Sequence, residues 1–109
     1  MLKVNVQNVE SVTVLRCEGR IVAGNESVIF CETTVAHSDA DLLVLELGQV
    51  HSVDARGLGL LLDLLVWTRS KGVQLKLTNL ARRVWQLFKL TRLDRVFTIC
   101  SIEGLNLPL

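Results

Sequence analysis

The feature that most constrains this chain lies in residues 42–72. Leu42-Leu43-Val44-Leu45-Glu46-Leu47 is a continuous apolar run of strand length. Such a run is expected of a parallel strand covered by other elements on both faces. A short elbow, Asp54-Ala55-Arg56-Gly57, follows, and then a leucine-rich segment in which Leu58, Leu61, Leu62 and Leu65 recur at i, i+3, i+4 and i+7. That spacing is one face of a helix, and Gly72 is placed to end it as a left-handed cap. Strand, elbow and helix in succession point to an α/β layer fold. In an open α/β sheet, ligands and partners are met outside the carboxyl ends of the strands. The stretch from His51 to Lys71 is therefore the candidate site.

The remaining segments fit the same plan. Leu2, Val4 and Val6 alternate with Lys3, Asn5 and Gln7, and Val12 to Glu18 is a second strand ended by Gly19. The turn between them, Asn8 to Ser11, is too short for a crossover, so this pair should be antiparallel. Asn25 can cap a helix with Val28, Cys31 and Val35 on one face. Val73, Leu75 and Leu77 alternate as a strand, and a further helix places Val84, Leu87, Phe88 and Thr91 inward, with Arg82, Arg83, Gln86 and Lys89 outward. Val96 to Cys100 reads as a short last strand. The expected fold is a single mostly parallel mixed sheet of four to five strands with about three main helices, spanning 1–100, and a short tail over 101–109.

A chain of 109 residues is of single-domain size. The longest apolar stretch, Leu58 to Trp67, is broken by Asp63 and is far short of the roughly 20 residues of a membrane span. With no secretory signal read at Met1, the expectation is a cytoplasmic protein without direct membrane insertion. Cys17, Cys31 and Cys100 show no CxxC pairing, and His37 and His51 have no companions at metal-ligand spacing, so reduced thiols and no metal or cofactor are expected. Charge is uneven: residues 1–63 carry nine acids and four bases, whereas 69–95 carry eight bases and only Asp94. A solvated helix face accounts for this more simply than a nucleic-acid site, because no basic platform interleaved with aromatics accompanies it.

No enzyme motif is present: there is no GxSxG, no P-loop, no GxGxxG and no metal-ligand cluster. Asp54 is suited to accept hydrogen bonds from first-turn amides. Arg56 faces the positive end of the helix dipole, and should pair with Asp54, point to solvent or meet an anionic group. Gly57 and Gly59 suggest close approach at the helix start. Leu60, Leu64 and Trp67 form a second stripe roughly opposite the first, covered either by neighbouring elements or by a partner.

The order of segments resembles the STAS domain of bacterial anti-sigma-factor antagonists. The resemblance is carried by Leu42 to Leu47, by Val53-Asp54-Ala55-Arg56-Gly57-Leu58-Gly59, by Gly72 and by the run from Val84 to Phe97, which is similar to a helix followed by the family's "TGLD..F" signature. In family members that switch partners, the elbow reads D-S-S-G-L and its first serine is phosphorylated by an anti-sigma-factor kinase. Here Ala55 and Arg56 stand at the two serine positions, Arg92 at the glycine of "TGL", and Gly19-Arg20-Ile21-Val22 in place of G-x-L-D. The resemblance implies a non-catalytic module of partner-switching transcription regulation, without the usual phosphorylatable serine. Its protein partner would be an anti-sigma-factor kinase or related regulator, and a homodimer fits as well. The expected docking residues are Asp54, Ala55, Arg56, Gly57, Leu58, Leu60, Leu64 and Trp67. The alternative is an accessory subunit of a transporter or a small-ligand or lipid-binding module.

Overall fold

The computed structural model describes residues 2–22 and 40–100. The helix expected around Asn25 to Val35 and the tail over 101–109 lie outside the described residues. Five strands form one sheet in the order β1-β2-β3-β4-β5, with β1 (Leu2–Val9), β2 (Val12–Ile21), β3 (Leu42–Val53), β4 (Gln74–Thr78) and β5 (Thr98–Cys100). The β1–β2 pair is an antiparallel hairpin and the other pairs are parallel, as expected from the connections. The hairpin turn is only Glu10-Ser11, and Glu10 takes φ 55 to close it. Helix α1 (Ala55–Ser70) joins β3 to β4, and helix α2 (Arg82–Leu90) with a 3₁₀ turn (Leu93–Arg95) joins β4 to β5. Because successive strands are neighbours throughout, right-handed crossovers put both helices on one face. Leu61, Leu65, Val84 and Phe88 accordingly share one core with Leu43, Leu45, Leu47, Leu75 and Leu77. The Phe88 and Phe97 rings meet at 5.6 Å within it. Val14 and Val44, whose side chains alternate to the opposite face, are also fully buried.

Three sequence boundaries shift. β2 does not end at Gly19; it continues to Ile21 through two register irregularities, with Gly19 at φ 111. β3 does not stop at Leu47, since Gln49, Val50, Ser52 and Val53 pair with Glu18, Gly19, Arg20 and Ile21. The last strand starts at Thr98 rather than Val96, because Val96 and Phe97 donate their amides to Leu93 in the turn that follows α2. The long β2–β3 ladder delivers the backbone directly to Asp54, so the elbow is anchored at its root by the sheet.

Both helices end in the same geometry. Gly72 (φ 73) and Arg92 (φ 61) each occupy the left-handed position after the cap and donate to Arg69 and Lys89 carbonyls at 3.2 Å. Glycine suits that conformation, whereas an L side chain is strained there by roughly 1–2 kcal/mol. Arg92→Gly is therefore expected to stabilise the fold by about 1 kcal/mol, a rise in melting temperature of about 4–8 °C by calorimetry.

Candidate functional site

The elbow is built by one side-chain cap and one steric allowance. Asp54 has extended backbone at the N-cap of α1, and its Oδ1 accepts the Gly57 N–H at 2.7 Å. The Leu58 N–H reaches the Asp54 carbonyl at 2.9 Å. Gly57 lies against the end of β2: a Cβ there would collide with the Ile21 carbonyl oxygen and sit 2.9 Å from its carbon and 3.0 Å from Val53 Cγ1. The chain can thus turn from sheet to helix only with a bare backbone at Gly57. Gly59 has no such role, since a Cβ there meets nothing within 4 Å. It lies on the outward side of α1, two residues and about 200° from Gly57.

At the tip, Asp54, Ala55 and Arg56 are exposed. No acid occupies the first turn of α1, so the Arg56 guanidinium sits at the positive helix end without acidic relief from that turn. Leu58 and Leu60 are half-buried beneath the tip.

The second stripe of α1 is not a separate outer surface. Leu64 is only 6% exposed and belongs to the core, and Trp67 packs against that core. The inward set is Gly57, Leu61, Leu64, Leu65 and Thr68. Its arc of about 100° is centred between the two sequence stripes, whose remaining members Leu58, Leu60, Leu62 and Trp67 are half-buried on either side of it. Leu64 is therefore removed from the docking set, while Val66, at 68% exposure, is an outward apolar residue that the leucine periodicity concealed.

A buried polar lock sits further back along β3. Glu46, 8% exposed, accepts from the Gly48 N–H and from Asn79 Nδ2, both at 2.8 Å to Oε1. It ties the irregularity in β3 to the turn that leads into α2, where Asn79 takes φ 56. A Cβ at Gly48 would strike Asn79 and lie 2.7 Å from Glu46 Oε1. Sequence periodicity gave no sign of this lock, because Glu46 stood as the single charge in an apolar run.

Among the described cysteines, Cys17 is buried and Cys100 half-buried. Burial, assisted by the nearby Glu46 charge, pushes the Cys17 thiol up to about 12. It stays protonated near neutral pH, where a thiol is a poor nucleophile. No group of three or more metal-ligating side chains occurs among the described residues, and none of their helices is long and apolar enough to cross a membrane.

Among the described residues, then, a single mixed sheet carries both helices on one face and a capped elbow at the carboxyl end of β3. The family profile of the STAS domain matches residues 3–104, and the chain belongs to that family. Among solved structures, a Thermotoga maritima protein described as an anti-sigma factor antagonist superposes with a TM-score of 0.80 at 21% identity, covering 93% of this chain and 89% of that one. An anti-sigma factor antagonist from Mycobacterium paratuberculosis gives 0.72 at 20% identity, over 91% and 85% of the two chains. The unphosphorylated form of the anti-sigma factor antagonist SpoIIAA gives 0.76 at 14% identity, over 94% and 91%. These likenesses establish the fold.

Proposed function

We propose that this chain is a non-catalytic, anti-sigma-factor-antagonist-like docking module of bacterial partner-switching regulation, acting in the cytoplasm. The observation that carries the reading is the elbow. Asp54 and Gly57 fix its backbone, while Ala55 and Arg56 are presented at its exposed tip without a hydroxyl. In STAS family members that switch partners, this is the place where phosphate on serine breaks the partner complex, a charge of about −1.5 to −2 added at a docking helix start. With Ala55 there, the surface remains in the state equivalent to unphosphorylated. Docking then depends on how much partner is available, and covalent modification of the elbow plays no part. Asp54, Ala55 and Arg56 form the contact, held in place by the buried Gly57 beneath them, with Leu58, Leu60 and Trp67 flanking it.

The test is affinity capture with the whole chain as bait, followed by incubation of the captured partner, the chain and ATP and measurement of intact mass. An anti-sigma-type kinase is expected in the capture, and the mass of the chain is expected to remain unchanged. Phosphate on the elbow, for example on Ser52, would contradict the reading. Capture of permease subunits in place of a kinase would favour the transporter alternative.

A further inference from the structure

Beside the elbow, the end of β3 and the start of α2 enclose a groove of about 260 Å³ lined by His51, Ser52, Val53, Arg83, Val84 and Leu87. Its floor is apolar, from Val53, Val84 and Leu87, and its rim carries a cation. Val53, which lines it, is the last residue of β3 and immediately precedes Asp54, so the groove lies next to the elbow along the chain.

The charges around this surface run against what helix stability favours. α2 has no acid in its first turn, which instead begins Arg82-Arg83, and Ala81 supplies no side-chain cap. α1 likewise has no acid in its first turn and carries Arg56. Each cation near a helix N-terminus costs about 0.3–1 kcal/mol. Three such placements at the same edge of one sheet are hard to account for by folding alone. At 100° per residue, the outward side of α2 carries Trp85, Lys89, Arg82, Gln86, Leu90 and Arg83 in one arc, with no acid in it. Leu90 is 83% exposed, and the Lys89 ammonium lies 5.9 Å from the centre of the Trp85 ring. Among the described residues, Asp54 at this end of the sheet uses Oδ1 as the helix cap.

We propose that this groove and the adjoining α2 face receive an acidic segment of a partner protein, with an apolar side chain seated on Val53, Val84 and Leu87 and its carboxylates meeting Arg83, Arg82 and Arg56. The proposal rests on the docking reading above and specifies the chemistry of the partner's contact. An apolar floor with a cationic rim accepts an apolar anchor flanked by acids and disfavours a basic segment, because like charges in an interface are repelled.

The probe is a short synthetic peptide of leucine and glutamate, compared with the same peptide carrying glutamine for every glutamate. Both are titrated at low salt into the isotopically labelled full chain and followed by amide chemical shifts. The glutamate peptide is expected to bind about tenfold more tightly, from two or three exposed charge pairs, with shifts at His51–Val53 and Arg82–Leu87. Arg83→Glu should abolish the preference while leaving the melting temperature equal or higher, because it places an acid in the first turn. If Arg83→Glu lowers the melting temperature, Arg83→Gln replaces it in the comparison.

Equal affinity for the two peptides would overturn the proposal. So would shifts centred on the groove at the other end of the sheet, where Arg69 and Lys76 also offer cations. Binding of phosphatidylglycerol vesicles through Arg82 and Arg83 without any glutamate preference would assign the surface to lipid and overturn it as well. A captured partner that depends on the elbow, combined with no glutamate preference, would leave the docking function standing and remove only the acidic segment.

Discussion

Gly57→Ala is expected to destabilise the domain by about 3 kcal/mol or more, a large part of the roughly 5–15 kcal/mol that holds a typical domain together. The new methyl group would meet the Ile21 carbonyl, which is backbone in a paired strand, and Val53 on the other side. Neither neighbour is the end of a flexible side chain, so relief requires α1 to move away from β2. Overpacking of this kind commonly costs about 1–3 kcal/mol, and rigid backbone neighbours place it at the upper end. The melting temperature should fall by about 12–24 °C. Gly59→Ala, two residues along the same helix, should do the opposite. With open space around its Cβ, it gains about 1 kcal/mol of helix propensity. Thermal unfolding of the two variants side by side checks both signs, and a stable Gly57→Ala domain would contradict the described packing of the elbow.

Ala55→Glu is expected to have the largest effect on partner binding. Ala55 is exposed at the first residue of α1. An acid there suits the helix dipole and should stabilise the free protein by about 0.3–1 kcal/mol. In the complex the same carboxylate would stand at the centre of the contact. Juxtaposed or unpaired interface charges cost several kcal/mol, and about 2.7 kcal/mol corresponds to 100-fold weaker binding. Improved stability together with lost binding separates a docking residue from a structural one.

Much of the architecture is legible in the residues because apolar periodicity and connection length record it directly. The uninterrupted run Leu42 to Leu47 marks a doubly covered strand, and the consecutive residues Val44 and Leu45, on opposite faces, are both fully buried. The Asp54 cap and the Gly72 stop are likewise local chemistry readable from residue type. The extension of β3 to Val53 is not, because Gly48, Gln49, His51 and Ser52 have the composition of a loop and become strand only by pairing with β2. The inward face of α1 is only half legible for a related reason. So many leucines satisfy two stripes at once that only the position of the sheet decides between them. Gly57 and Gly59 look equivalent in sequence, and only the Ile21 carbonyl and Val53 side chain packed against Gly57 distinguish them. The groove beside the elbow joins residues about thirty positions apart, brought together by the β4 crossover, which no local pattern encodes.

The central claim is that the elbow is a fixed docking surface whose occupancy depends on the absence of charge at Ala55. Its most direct test is the partner's dissociation constant, measured by calorimetry against the wild-type chain, Ala55→Glu and Gly59→Ala. The account predicts binding about 100-fold weaker for Ala55→Glu with an equal or higher melting temperature, and nearly unchanged binding for Gly59→Ala. Equal affinity for wild type and a folded Ala55→Glu would contradict it.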